Sequence, residues 1–125
     1  MDTLVLLPAV IHLYIFSLES LFWNRPYTRK IFGVSSDEAA TTRLLAWNQG
    51  FYNLMLAVAI IVGWWLRHGV PAFTDGRLTG TVLVYYGLIS ITVAGFVLLF
   101  SARRLWRSAL IQIIPACIGL IAVAL

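Results

Sequence analysis

The chain predicts an all-α integral membrane protein, a four-transmembrane-helix bundle with both termini on the non-cytoplasmic side. Three observations carry that expectation. Of the 125 residues, 61% are hydrophobic and 11% are charged, against about 45–50% and about 25% in soluble domains. A soluble fold of this size has too little interior to hide so much apolar surface. The apolar residues also collect into four runs, 4–23, 43–66, 78–101 and 108–125, each as long as the roughly 17–25 residues that a helix needs to cross a bilayer core. Finally, the basic residues fall between the runs. The first connection holds Arg25, Arg29, Lys30 and Arg43, the third holds Arg103, Arg104 and Arg107, and the second holds only Arg67 and Arg77. That asymmetry places connections one and three in the cytoplasm. Trp23, Trp47 and Trp106 then fall at the inner interface, and Trp64 and Trp65 at the outer one, where aromatic belts form. The expected organisation is a single membrane domain over residues 1–125.

The first segment, 4–23, begins without a basic leader region, and Trp23-Asn24-Arg25 stands where a signal peptide would carry small residues for cleavage. It is therefore expected to remain in the mature chain. The second segment has a start signal upstream: Ser35 and Glu38 fit the spacing of a capping box, and Asp37 and Glu38 suit the positive end of a helix. The helix is expected to begin near Ser36 and end near Arg67, with Gly69 and Pro71 stopping it. Asp75-Gly76 reads as a turn before the third segment. The fourth contains Pro115, which cannot donate a backbone hydrogen bond and so frees the carbonyl of Ile111. Small residues at four-residue spacing, Ala59 with Gly63 and Ser90 with Ala94, would permit close helix contacts, within the chain or between two copies as a homodimer.

The polar residues inside the apolar runs are the functional signal. Glu19 lies in the first segment, where a carboxylate costs about 2.5–3.5 kcal/mol on insertion scales and so tends to face a protein interior or a wet cavity. His12, seven residues earlier, shares nearly the same face of a regular helix. At 1.5 Å per residue, Glu19 lies about 6 Å inside Trp23, and His12 about 16 Å. Asn48 and Gln49 lie about 7–9 Å inside Arg43, Asn53 about 15 Å, and Gln112 about 7 Å inside Arg107. His12, Glu19, Asn48, Gln49, Asn53 and Gln112 thus share one half of the membrane, and Tyr52 and Tyr14 could add hydroxyls. Taken singly, each has a plainer explanation. Amides in spans hold helices together through hydrogen bonds worth about 0.6 kcal/mol; Arg43 or Arg107 could neutralise Glu19 from the interface; a lone histidine usually packs. As a cluster they point to a functional cavity.

Other chemistries find no support. Net charge is +4, but the basic residues follow topology, so nucleic acid is not expected as a partner. Cys117 is the only cysteine and reads as a small hydrophobe. The two histidines stand far apart in depth, so no metal site and no cofactor is expected. No phosphate loop or nucleophile elbow is present.

His12-Leu13-Tyr14-Ile15 with Glu19, then Trp23, Arg29-Lys30-Ile31-Phe32-Gly33 and Asn48-Gln49-Gly50-Phe51-Tyr52-Asn53, together with Gln112 and Pro115, resemble a family of small bacterial membrane proteins catalogued as domain of unknown function 1304. The resemblance covers essentially the whole chain. It implies four transmembrane helices, a polar motif within them and residence in a bacterial cytoplasmic membrane, and it assigns no activity. A single glutamate in the first of four spans also resembles the small multidrug-resistance exporters, though the added histidine and amides depart from their pattern. Three functions therefore stand at this point. One is an enzyme of isomerase or hydrolase type acting on a lipophilic small molecule, with His12 and Glu19 as acid and base and with Asn48, Gln49, Tyr52, Asn53 and Gln112 binding substrate. The others are a proton-coupled transporter and a non-catalytic accessory protein in contact with membrane lipids.

Overall fold

Long apolar runs with polar punctuation leave the backbone one economical solution, and every regular element among the described residues is a helix. The computed structural model describes residues 2–69, 71 and 74–125. Four of its helices are long and apolar enough to cross a membrane. The first is continuous over Thr3–Leu21: a 3-10 turn, then α1 (Leu6–Phe16), then a π-helical turn over Ser17–Leu21. α3 (Ser36–Gly69) has 34 residues, about 51 Å at 1.5 Å per residue, well over a hydrocarbon core of about 30 Å. α4 (Asp75–Ser101) and α5 (Trp106–Ala124) complete the set.

The α3 start signal is realised atom by atom. The Ser35 backbone N–H donates to Glu38 Oε2 at 2.7 Å, and the Glu38 N–H donates to Ser35 Oγ at 3.1 Å. These reciprocal bonds satisfy donors that the first turn of a helix otherwise leaves orphaned. The far end, at Gly69, also lies where expected.

One local expectation is corrected. Asp75-Gly76 is not a turn before the third segment but the first turn of α4. Thr74 is extended, and its carbonyl accepts the N–H groups of Arg77 and Leu78 at 3.0 and 3.3 Å; Asp75 then gains from the positive helix end. The first connection contains a helix of its own, α2 (Pro26–Phe32). Pro26 supplies a preset φ at the first helical position, and Gly33, at φ 66°, ends the helix in the left-handed region.

The long helices touch in cyclic order: α1 on α3, α3 on α4, α4 on α5, and α5 back on α1 and the N-terminal turn. Val5, Ala9, Ala57, Ile60, Val84, Leu88, Ile91 and Ala116 form the common core. α3 and α4 meet most closely at Gly63 and Gly80. A Cβ on Gly63 would lie 2.7 Å from the Gly80 carbonyl oxygen, and one on Gly80 would lie 2.6 Å from that of Gly63. Backbone meets backbone there, as small residues permit. Of the small-residue pairs, Gly63 serves this contact, whereas Ser90 and Ala94 are not buried. At the opposite end the first and third connections are tied together: Arg104 Nη1 donates to the Gly33 carbonyl at 2.6 Å.

Candidate functional site: a carboxylate between two cavities

The π-helical turn carries Glu19 at its centre. The Phe22 N–H reaches back five residues to the Ser17 carbonyl at 3.0 Å, and Ser17 Oγ donates to the Tyr14 carbonyl at 2.7 Å. Such wide turns occur mostly as single-turn bulges within α-helices, frequently at functional sites. The next residue, Ser20, docks the turn on α3 by donating Oγ to the Trp47 carbonyl at 3.0 Å. Gly50 makes that approach possible, because a Cβ there would collide with Ser20 Oγ.

This docking brings Glu19 against Asn53. Both are 8% exposed. Asn53 Nδ2 donates to Glu19 Oε2 at 2.6 Å and to the Gln49 carbonyl, one turn earlier on α3, at 3.1 Å. Both amide hydrogens are thus engaged, which fixes the side chain and leaves Asn53 Oδ1 and Glu19 Oε1 as acceptors. Neither Arg43 nor Arg107 forms an ion pair with Glu19 among the described residues; the Arg107 guanidinium lies 5.3 Å from the Trp106 ring centroid.

Glu19 and Asn53 open into a cavity of about 410 Å³. Tyr14, Gln49, Tyr52, Ser108 and Gln112 supply its other polar groups, while Leu18, Leu56, Leu98 and Ile111 make it largely apolar. α1, α3, α4 and α5 all contribute, and Ile31 and Phe32 of α2 lie across one side. Pro115 sits inside α5, so the Ile111 carbonyl has no helical donor, and Ile111 and Gln112 both line the cavity. A second cavity, of about 340 Å³, meets the first at this carboxylate, which lines both. Ser20, Trp23, Arg25, Arg43 and Trp47 line it with Glu19. Glu19 is therefore the wall between a mostly apolar chamber and a basic vestibule.

Six residues picked out by sequence, Tyr14, Glu19, Gln49, Tyr52, Asn53 and Gln112, line the chamber; His12 and Asn48 do not. Asn48 is exposed on α3. His12 is 1% exposed, and its Nδ1 donates to the Pro8 carbonyl at 3.0 Å. Its Nε2 then carries the lone pair and is buried with no partner among the described residues. A π turn rotates each residue less about the axis than an α-helix does, which breaks the facial alignment that seven-residue spacing gives. Three parts of the site were missed by sequence reasoning. The bracket of Pro26 and Gly33 could have revealed α2. Arg25 and Arg43 were read as orientation charge, and the π turn has no signal in the residue types. Among the described residues no three His, Cys, Asp or Glu converge as metal ligands.

Fold and site together define an all-helical protein with four membrane-length helices and a buried carboxylate–amide pair between two cavities. A family model described as "Protein of unknown function (DUF1304)" matches residues 6–124, and the chain belongs to that family. No curated protein and no solved structure matches it.

Proposed function

We propose that this is a multi-pass protein of the bacterial cytoplasmic membrane whose chamber binds a lipophilic small molecule, on which Glu19 acts as acid and base in an isomerase- or hydrolase-type reaction. Membrane residence is supported by the four long helices and by their outward faces, where Leu45, Val82, Val93 and Ile121 are exposed. The chamber draws on the middle of α3, residues 49–56, and lies toward the end of the bundle where α1 and α4 finish and α5 starts. That is the end flanked by seven of the nine basic residues, so the chamber belongs to the cytoplasmic leaflet.

One observation carries the reading: a buried carboxylate, held by Asn53 at 2.6 Å, faces an apolar chamber of about 410 Å³. That volume is in the range of small-molecule sites, about 300–1,000 Å³. Asn53 occupies Oε2, so Oε1 is the atom that meets the guest. For an isomerisation, the carboxylate takes a proton from one substrate carbon and the resulting carboxylic acid returns it to another. Composition is unchanged and no cofactor takes part. For hydrolysis, Oε1 takes the proton of a water entering from the vestibule as the water attacks, and delivers it to the leaving group. Gln49, Tyr52 and Gln112 orient the polar part of the guest. His12 is left out of the reacting set because it does not line the chamber.

A second reading, proton-coupled transport, draws on the fact that Glu19 lines both cavities. The two readings part in one experiment. Protein purified in mild detergent is expected to retain a lipophile that Leu98→Trp, which fills the chamber, does not retain. Wild-type protein added to the lipid extract is expected to convert a component without any ion gradient. Loss of the Glu19 base lowers that conversion by about 10²–10⁴-fold in Glu19→Gln. Full conversion by Glu19→Gln would remove the assigned role. Gradient-driven uptake into proteoliposomes that depends on Glu19, with no conversion, would put the transporter in place of the enzyme.

A further inference from the structure

We infer that the guest is an anionic amphiphile: its head group is held in the vestibule by Arg25 and Arg43, and its tail lies in the chamber. This rests on the reading of the chamber given above and adds the substrate class. The vestibule, about 340 Å³, is lined by two guanidinium side chains and by no acidic residue other than Glu19. Neither arginine has an ion-pair partner among the described residues, so both offer their donors to a ligand. A guanidinium presents a planar fork that matches carboxylate or phosphate oxygens. Trp23 and Trp47 share the lining, and indole rings suit the place where a polar head meets an apolar tail.

The two arginines stand on fixed backbone. The Arg25 N–H donates to the Phe22 carbonyl at 3.0 Å, and its own carbonyl accepts the Arg29 N–H at 3.0 Å, which joins the π turn to α2. Beside it, Trp23 Nε1 donates to the Ala39 carbonyl at 3.1 Å, and the Trp23 ring packs 5.1 Å from Phe32. Arg43 lies one turn before Trp47, whose carbonyl receives Ser20 Oγ. Because Glu19 lines both cavities, a molecule with its head at the arginines and its tail in the chamber passes the carboxyl group within a few bonds of its head. The reacting atoms of the guest therefore lie at the polar end of its tail. A neutral lipophile gives the vestibule nothing to hold.

The test uses oleate and oleyl alcohol, equal in chain and different in head charge, with bound copies counted by native mass spectrometry on the full-length protein in detergent. Wild type is expected to fill with oleate at about tenfold lower concentration than with the alcohol, the size expected of charge-assisted hydrogen bonds. Arg25→Gln/Arg43→Gln should lose that preference and bind the alcohol as before; both side chains are exposed, so its thermal unfolding should match wild type. Equal affinity of wild type for the two probes, or a double variant that keeps the preference, overturns the head-group assignment. In that case, alcohol binding that Leu98→Trp blocks leaves the chamber reading standing. If neither probe binds, both readings fall. Inorganic phosphate that binds alone as tightly as oleate and displaces it would make the vestibule a site for a soluble anion, which also overturns the proposal. Phosphate that leaves bound oleate in place supports a lipid source.

Discussion

Replacing Gly50 with alanine puts a methyl group into Ser20 Oγ at the point where the π turn meets α3. Turning Ser20 Oγ aside would break its bond to the Trp47 carbonyl and still leave the Ser20 Cβ and backbone N 3.1 Å from the methyl. Gly50→Ala is expected to destabilise the protein by about 1–3 kcal/mol, the usual cost of overpacking a filled contact. Thermal unfolding in detergent measures it. Adding Ser20→Ala should return part of the loss, because the oxygen struck by the methyl is gone; equal melting temperatures for wild type and Gly50→Ala would show that the contact does not constrain the fold. At this scale the sequence was partly legible. Glu19, Asn53 and Gln112 announce themselves because carboxylates and amides are costly among apolar neighbours. Arg25 and Arg43 did not, since an arginine beside a span serves orientation equally well. His12 misled because facial alignment presumes regular winding, and winding is a property of backbone hydrogen bonds that only tertiary contact settles.

α2 is held at both ends by single bonds. Tyr27 at its start and Tyr14 on α1 share a hydroxyl–hydroxyl hydrogen bond of 2.9 Å, and Arg104 reaches Gly33 just past its end. Each such bond contributes about 0.5–1.5 kcal/mol. The combined variant Tyr27→Phe/Arg104→Ala is therefore expected to raise amide hydrogen exchange in residues 26–32 by roughly tenfold, leaving the α3–α4 contact unchanged. Hydrogen-exchange mass spectrometry separates the two regions; unchanged exchange in α2 would mean that packing of Ile31 and Phe32 alone retains it. The contrast with α3 explains what could be read in advance. The Ser35–Glu38 box is local chemistry, complete within four residues. α2 is seven residues long, too short for a hydrophobic period to stand out, and its stability comes from partners on α1 and the third connection.

Orientation is a property of the whole chain, and the basic residues predict it. In a Cys117→Ala background, a cysteine at Ser36 is expected to resist a membrane-impermeant maleimide on intact cells and to react after permeabilisation, whereas a cysteine at Thr74 should react at once. The opposite pattern would invert the chamber and move it to the outer leaflet. Helix number and the end that carries the polar groups were legible because charge bias and hydropathy act before tertiary structure forms. The share of α4 in the chamber was not, because Ala94 and Leu98 differ in no way from other residues of an apolar run. α3 and α4 clasp each other through bare peptide groups at Gly63 and Gly80, yet both line the void, at Asn53 and Leu98. Mechanically the pair is a clothes-peg whose fulcrum runs from Gly63–Gly80 to Ile60–Gly87 and whose jaws begin at Leu56. Cargo of greater girth must spread the jaws while the fulcrum stays shut.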